Sequence, residues 1–132
     1  MKKINVALVG LGFGGAFAEI YKEHPNVGEL TIYDTNRELA ERFANHLGGA
    51  KIAENFGAIL ADDSIDAVHL VTPIPLHANQ SVAVLEAGKH CAWRLLISYF
   101  LCTRFPFLQP PSLIVWTKKI VLSEPLYFLL QK

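Results

Sequence analysis

The sequence predicts an α/β fold, a doubly wound parallel sheet, over residues 1–92. Two features predict it. Short apolar runs alternate with helical-period segments about ten residues long, the pattern of strands and crossover helices in one sheet. A glycine cluster, Gly10-Leu11-Gly12-Phe13-Gly14-Gly15, stands directly after the first apolar run and opens the first helical segment.

Ile4 to Val9, mostly apolar, forms the first strand, as expected where both faces of a strand are buried. Phe13, Ala16, Phe17, Ile20 and Tyr21 recur at three- and four-residue spacing and are expected to line the buried face of a helix ended by His24-Pro25-Asn26. Leu30 to Tyr33 is the second strand. Thr35-Asn36-Arg37-Glu38 has the S/T-x-x-E form of a capping box; it starts a helix with Leu39, Phe43 and Leu47 on one side, closed by Gly48-Gly49. A short strand at Lys51 to Ala53 and a small helix at Phe56 to Leu60 lead to the turn Asp62-Asp63-Ser64. Ala67 to Val71 is a further buried strand. Pro73 and Pro75 delay the next helix to Leu76–Ala87, carried by Ala78, Val82 and Leu85 and ended by Gly88, and His90 to Ala92 begins a fifth strand.

Composition bounds the rest. The 132 residues are 52% apolar and 18% charged with a net charge of zero, which suits one globular domain and lacks the basic excess of a nucleic-acid binder. Cys91 and Cys102 make no disulfide framework or metal-ligand spacing, so two apolar thiols in a cytoplasmic protein and no metal are expected. Met1-Lys2-Lys3 and the following apolar stretch to Ala16-Phe17-Ala18 imitate a secretory signal, but four glycines within six residues do not suit one, and cleavage would remove the first strand.

Residues 93–132 obey other statistics. All nine glycines lie at or before Gly88, eleven of twelve acidic residues lie at or before Glu86, and eight of fourteen aromatics fall in the last forty residues. No helix or strand period persists there, and the segment is expected to be an apolar tail that neither completes the sheet nor specifies one packing. Self-association through the sheet edge and the tail is expected. Membrane attachment through Leu95 to Thr117 is disfavoured because Pro106, Pro110 and Pro111 interrupt the window.

The glycine spacing carries the chemistry. Gly10 permits a tight turn out of the first strand, Gly12 lets backbone approach a pyrophosphate, and Gly15 allows close helix packing on the sheet; Phe13 and Gly14 complete the loop. Free N–H groups and partial positive charge at the helix N-terminus favour phosphate. Asp34, nineteen residues after Gly15 at the end of the second strand, is placed to accept hydrogen bonds from an adenosine ribose. A carboxylate there repels a 2′-phosphate, so NAD is expected over NADP, with Arg37 near enough to stack on adenine or offer a counter-charge. Thr72 and Pro73 stand at the carboxyl end of a strand beside the switch point, where a nicotinamide ribose could meet them.

Ile65-Asp66-Ala67-Val68, then Val71-Thr72-Pro73-Ile74-Pro75-Leu76-His77, then Leu85-Glu86-Ala87-Gly88-Lys89-His90 resemble, in order, motifs of the glucose-fructose oxidoreductase and inositol dehydrogenase (Gfo/Idh/MocA) family. The resemblance covers about Lys3 to Ala92. It implies an NAD(P)-binding domain of an oxidoreductase acting on a sugar, polyol or related hydroxy compound, with Thr72, Pro73 and His77 as cofactor neighbours. Family members continue into a Glu-Lys-Pro motif, whereas this chain reads Cys91-Ala92-Trp93-Arg94-Leu95-Leu96. Arg94 stays protonated and cannot replace a lysine as general base, so no catalytic residue is assigned. The family's substrate domain is also unmatched, and turnover by this chain alone is expected to be negligible. The abrupt boundary suggests a shifted frame, a retained intron or a substituted exon. The competing expectation is a non-catalytic nucleotide-binding or partner-interaction module.

Overall fold

The computed structural model describes residues 3–93. Five strands, β1 (Ile4–Val9), β2 (Val27–Tyr33), β3 (Lys51–Ile52), β4 (Ala67–Leu70) and β5 (His90–Trp93), alternate with α1 (Gly15–Glu23), α2 (Arg37–His46), α3 (Phe56–Ala61) and α4 (Ile74–Glu86). The strands are all parallel and ordered β3-β2-β1-β4-β5. The chain therefore winds outward from β1 to β3, then crosses back to the other side of β1, which makes the β1–β4 boundary the switch point. The predicted doubly wound sheet is present. The tail beyond Trp93 lies outside the described residues.

Alternation along β1 builds two cores. Val6 and Leu8 face one way, into a cluster with Leu11, Ala18, Tyr21, Leu30, Ile32, Ala40, Ala44 and Leu47 under α1 and α2. Ala7 and Val9 face the other way, joining Ile59, Ile65, Val68, Leu70, Val84 and Cys91 under α3 and α4. Burial of this apolar surface on both faces stabilises a sheet whose parallel strands make no local contacts with one another.

Asn5 sits at an irregularity in the β1–β2 register. Its side chain accepts from the Glu29 N–H at 2.9 Å and donates to the Ser64 carbonyl at 2.9 Å, while its own N–H donates to Asp66 Oδ2 at 2.9 Å. One polar residue inside an apolar run thus stitches β1 to β2 and to the turn before β4. On the central strands, Tyr21 of α1 meets His69 of β4 through a 2.9 Å hydrogen bond, with the Phe17 ring 4.9 Å from the imidazole.

Four local expectations are corrected. Strand β2 begins at Val27, three residues before the apolar run at Leu30, because β1 pairs with it from Ile4 onward. The cap of α2 is Asn36, whose side chain accepts from the Leu39 N–H at 3.1 Å; Thr35 turns instead to Asp34, so the capping-box pattern is not used. Helix α1 buries Gly15, Ala18 and Tyr21, while Phe13 and Ile20 are 63% and 55% exposed and Ala16 faces solvent. Helix α4 starts at Ile74 with Pro75 inside its first turn, where a missing N–H costs nothing. It buries His77 and Val84, leaving Ala78 and Val82 exposed.

Candidate functional site

The crevice at the carboxyl ends of β1 and β4 is flanked by the two long helices that lack a side-chain cap. Asn36 caps α2 and Asn55 caps α3, whereas α1 and α4 are preceded by Gly14 and Pro73, which supply no capping side chain, and neither has an acidic residue in its first turn. In α1 the Gly15 and Phe17 N–H groups already donate to the Leu11 and Gly14 carbonyls at 2.9 Å, and in α4 the Leu76 N–H donates to the Pro73 carbonyl at 2.9 Å while Pro75 has none, so these ends offer mainly the partial positive charge of the helix dipole.

The glycine loop shows why its residues are glycines. Gly10 has φ +94°, and a Cβ there would stand 2.7 Å from the Val71 carbonyl oxygen and 3.1 Å from the Thr72 nitrogen. A Cβ on Gly14 would collide with the Gly10 carbonyl. The atoms nearest to a Cβ on Gly15 would be those of the Phe43 ring, so its missing side chain makes room for α2 where α1 lies against β2. Gly12 differs from all three: it is exposed and nothing lies within 4 Å of where its Cβ would be. Three glycines answer to the protein's own packing, and the fourth faces open space beside the α1 N-terminus.

Asp34 follows β2 and is half-buried. Its Oδ2 accepts from the Leu11 N–H at 2.7 Å and its Oδ1 from the Asn36 N–H at 2.8 Å, with the Thr35 hydroxyl at 3.5 Å. The first of these bonds was not legible in the sequence, since it joins the glycine loop to the β2 end across twenty-three positions. A carboxylate has about four lone-pair sites, so capacity remains for further donors. Arg37 lies on the exposed side of the same α2 start, its Nε donating to Glu41 at 3.0 Å.

On the other side of the crevice Thr72 is half-buried and Pro73 exposed. The Thr72 hydroxyl donates to Gln80 Oε1 at 2.5 Å, and its carbonyl accepts from His77 Nε2 at 2.6 Å. His77 is buried beneath this loop, and its ring lies 5.6 Å from that of Trp93. Gln80 and Trp93 carried no signal of their own in the sequence; the structure adds both. Deeper in, burial pushes the Cys91 thiol pKa up while the nearby Ser81 hydroxyl pulls it the other way. Arg94, Leu95 and Leu96 lie outside the described residues. Among the described residues no cluster of His, Cys, Asp or Glu could hold a metal ion, and no helix is long and apolar enough to cross a membrane.

Residues 4–92 match the family described as an oxidoreductase family with an NAD-binding Rossmann fold, Gfo/Idh/MocA. The chain belongs to this family. Inositol 2-dehydrogenase 1 of Mycolicibacterium vanbaalenii is 39% identical over 92 residues, covering 67% of this chain and 26% of that protein. 4-Carboxy-2-hydroxymuconate-6-semialdehyde dehydrogenase of Sphingobium sp. strain SYK-6 is 34% identical over 88 residues, covering 66% of this chain and 28% of the relative. The structure of scyllo-inositol dehydrogenase from Lactobacillus casei with bound NAD(H) and scyllo-inositol superposes with a TM-score of 0.63 at 28% identity, covering 70% of this chain and 28% of that one. This Gfo/Idh/MocA chain thus spans about a quarter of the length of the relatives it matches. Its matched residues are the family's NAD-binding domain.

The residues present fit a dinucleotide. Gly12 leaves the approach to the α1 N-terminus open, Gly10 and Gly14 keep the loop's backbone tightly folded, and Asp34 offers a fixed acceptor at the β2 end.

Proposed function

We propose that this chain binds NAD(H) in preference to NADP(H), as the cofactor part of an oxidoreductase acting on a sugar, polyol or related hydroxy compound. The observation that supports it best is the 2.7 Å bond from the Leu11 N–H to Asp34, which fixes a carboxylate beside the glycine loop. An anionic acceptor held there suits ribose hydroxyls and opposes a 2′-phosphate. Gly12 and the first turn of α1 receive the pyrophosphate, with the exposed Phe13 beside them. Arg37 borders the adenine, and Thr72, Pro73 and His77 serve the nicotinamide half. When bound, the nicotinamide supplies hydride chemistry, and the residues described here bind and orient it. Relatives named for an inositol and for a muconate semialdehyde share only about a quarter of their length with this chain, so the substrate is proposed here only by class.

Calorimetric titration with NADH and NADPH tests the proposal. NADH is expected to bind at least about tenfold more tightly, a difference of about 1.4 kcal/mol. Asp34→Ala should shrink that ratio toward one. Equal affinities in the unmodified protein would reject the assignment of Asp34, and absence of binding would reject the dinucleotide site.

A further inference from the structure

We infer that His77 and Gln80 are positioning residues, a two-point latch that sets the Thr72–Pro73 loop for the nicotinamide half of the cofactor alone. The inference rests on the dinucleotide reading above and adds a division of labour within it. With the adenosine ribose at Asp34 on the β2 side and the pyrophosphate at Gly12 after β1, a cofactor stretched across the sheet must run its other half past β4, where the next backbone is Thr72 and Pro73.

That backbone is held from beneath by side chains. His77 Nε2 donates to the Thr72 carbonyl at 2.6 Å, which fixes the tautomer with the proton on Nε2, because a carbonyl only accepts. The Thr72 hydroxyl is committed to Gln80 at 2.5 Å. Both latch residues lie on α4, three positions apart and so on the same face of the helix, and both polar ends of Thr72 are engaged. His77 Nδ1 is buried without a hydrogen-bond partner. A helix packed against apolar strands gains nothing from a histidine with an orphaned nitrogen; leucine would fill the space without that penalty. The ring earns its place through its Nε2 bond, with the Trp93 indole packed beside it at 5.6 Å between ring centroids. The loop so held also presses on the glycine turn, since the Val71 carbonyl and the Thr72 nitrogen are the atoms that bar a side chain at Gly10.

The test separates the two halves of the ligand. Affinities for NADH and for ADP-ribose, which lacks the nicotinamide, are measured on the full 132-residue chain and on His77→Leu, His77→Gln, Gln80→Leu and Gln80→Glu. The leucine variants should weaken NADH about tenfold while changing ADP-ribose by less than about twofold, and the Gln and Glu variants, which keep a donor or an acceptor, should recover part of the loss. Should His77→Leu fail to fold, by circular dichroism, the half-buried Gln80 pair decides. Equal loss of both ligands, or loss of neither, overturns the latch. If the unmodified chain binds neither ligand, the dinucleotide proposal itself has failed and the latch with it.

Discussion

The loop after β1 and the loop after β4 flank one crevice and are made of different material. The first is backbone: four glycines, a positive φ at Gly10, and open space where a side chain on Gly12 would stand. The second is side chain: Thr72 tied by His77 and Gln80 from the helix below. A backbone loop presents N–H donors at fixed positions and tolerates almost no substitution, yet it has little means of distinguishing one anion from another. A loop supported by side chains can be retuned one residue at a time. The difference teaches where this fold keeps its constants and where it keeps its variables: a turn fixed by backbone geometry after β1, and a loop held by replaceable polar side chains after β4.

The sharpest way to break the comparison is to put a side chain into each kind of glycine. Gly10→Val combines a left-handed φ with a Cβ at 2.7 Å from the Val71 oxygen, so it should cost about 3 kcal/mol of stability and displace the β4 loop as well. Urea unfolding measures it; a midpoint equal to that of the unmodified protein would show that the turn can open freely. Gly12→Val is the counterpart. Nothing lies within 4 Å of its Cβ, so stability should change by no more than about 0.5 kcal/mol while NADH binding falls below detection in calorimetry. Retained affinity would show that the approach to the α1 N-terminus does not pass over Gly12.

A smaller effect sharpens the link between the halves. Tyr21→Phe removes the hydroxyl that bonds His69 Nδ1 and should cost about 1 kcal/mol, since it deletes one buried hydrogen bond between α1 and β4. Burial pushes the Tyr21 phenol well above its ordinary value near 10. The folded state therefore holds this proton longer than the unfolded chain does. Its contribution is fully present below pH 10 and is lost as pH rises above it. The phenylalanine variant should unfold with a shallower decline in stability above that pH, and identical alkaline profiles would remove Tyr21 from the account.

The strands were legible because a central parallel strand has one requirement, apolar residues on both faces, and Ile4–Val9 meets it at every position but Asn5. The glycine loop was legible for a related reason: its residue types have almost no substitutes. Helix faces were not. Phe13 and Ile20 fit the apolar period of α1 but lie outside, since a helix that packs through Gly15 and Ala18 brings its backbone close and turns the bulky positions away. In α4 the buried face includes a histidine, which hydropathy scores as surface. The capping box failed through competition. Asp34 draws in the Thr35 hydroxyl and the Asn36 N–H, and Asn36, one position later, closes the helix end. The hydrogen bonds from Leu11 to Asp34 and from His77 to Thr72 are consequences of tertiary packing that no local pattern encodes.

Lys89 gives the fold a feature of another kind. It is 5% exposed, and its ammonium donates to the Asp62 carbonyl at 2.6 Å and the Ile65 carbonyl at 3.1 Å, bracing the turn that enters β4. Lys3, Lys22 and Lys51 face solvent. An amine-acylating reagent therefore meets two populations of lysine in one small domain, and the ratio of their modification is a footprint of the native state: Lys89 stays unlabelled while the sheet is closed and reacts with the others once it opens.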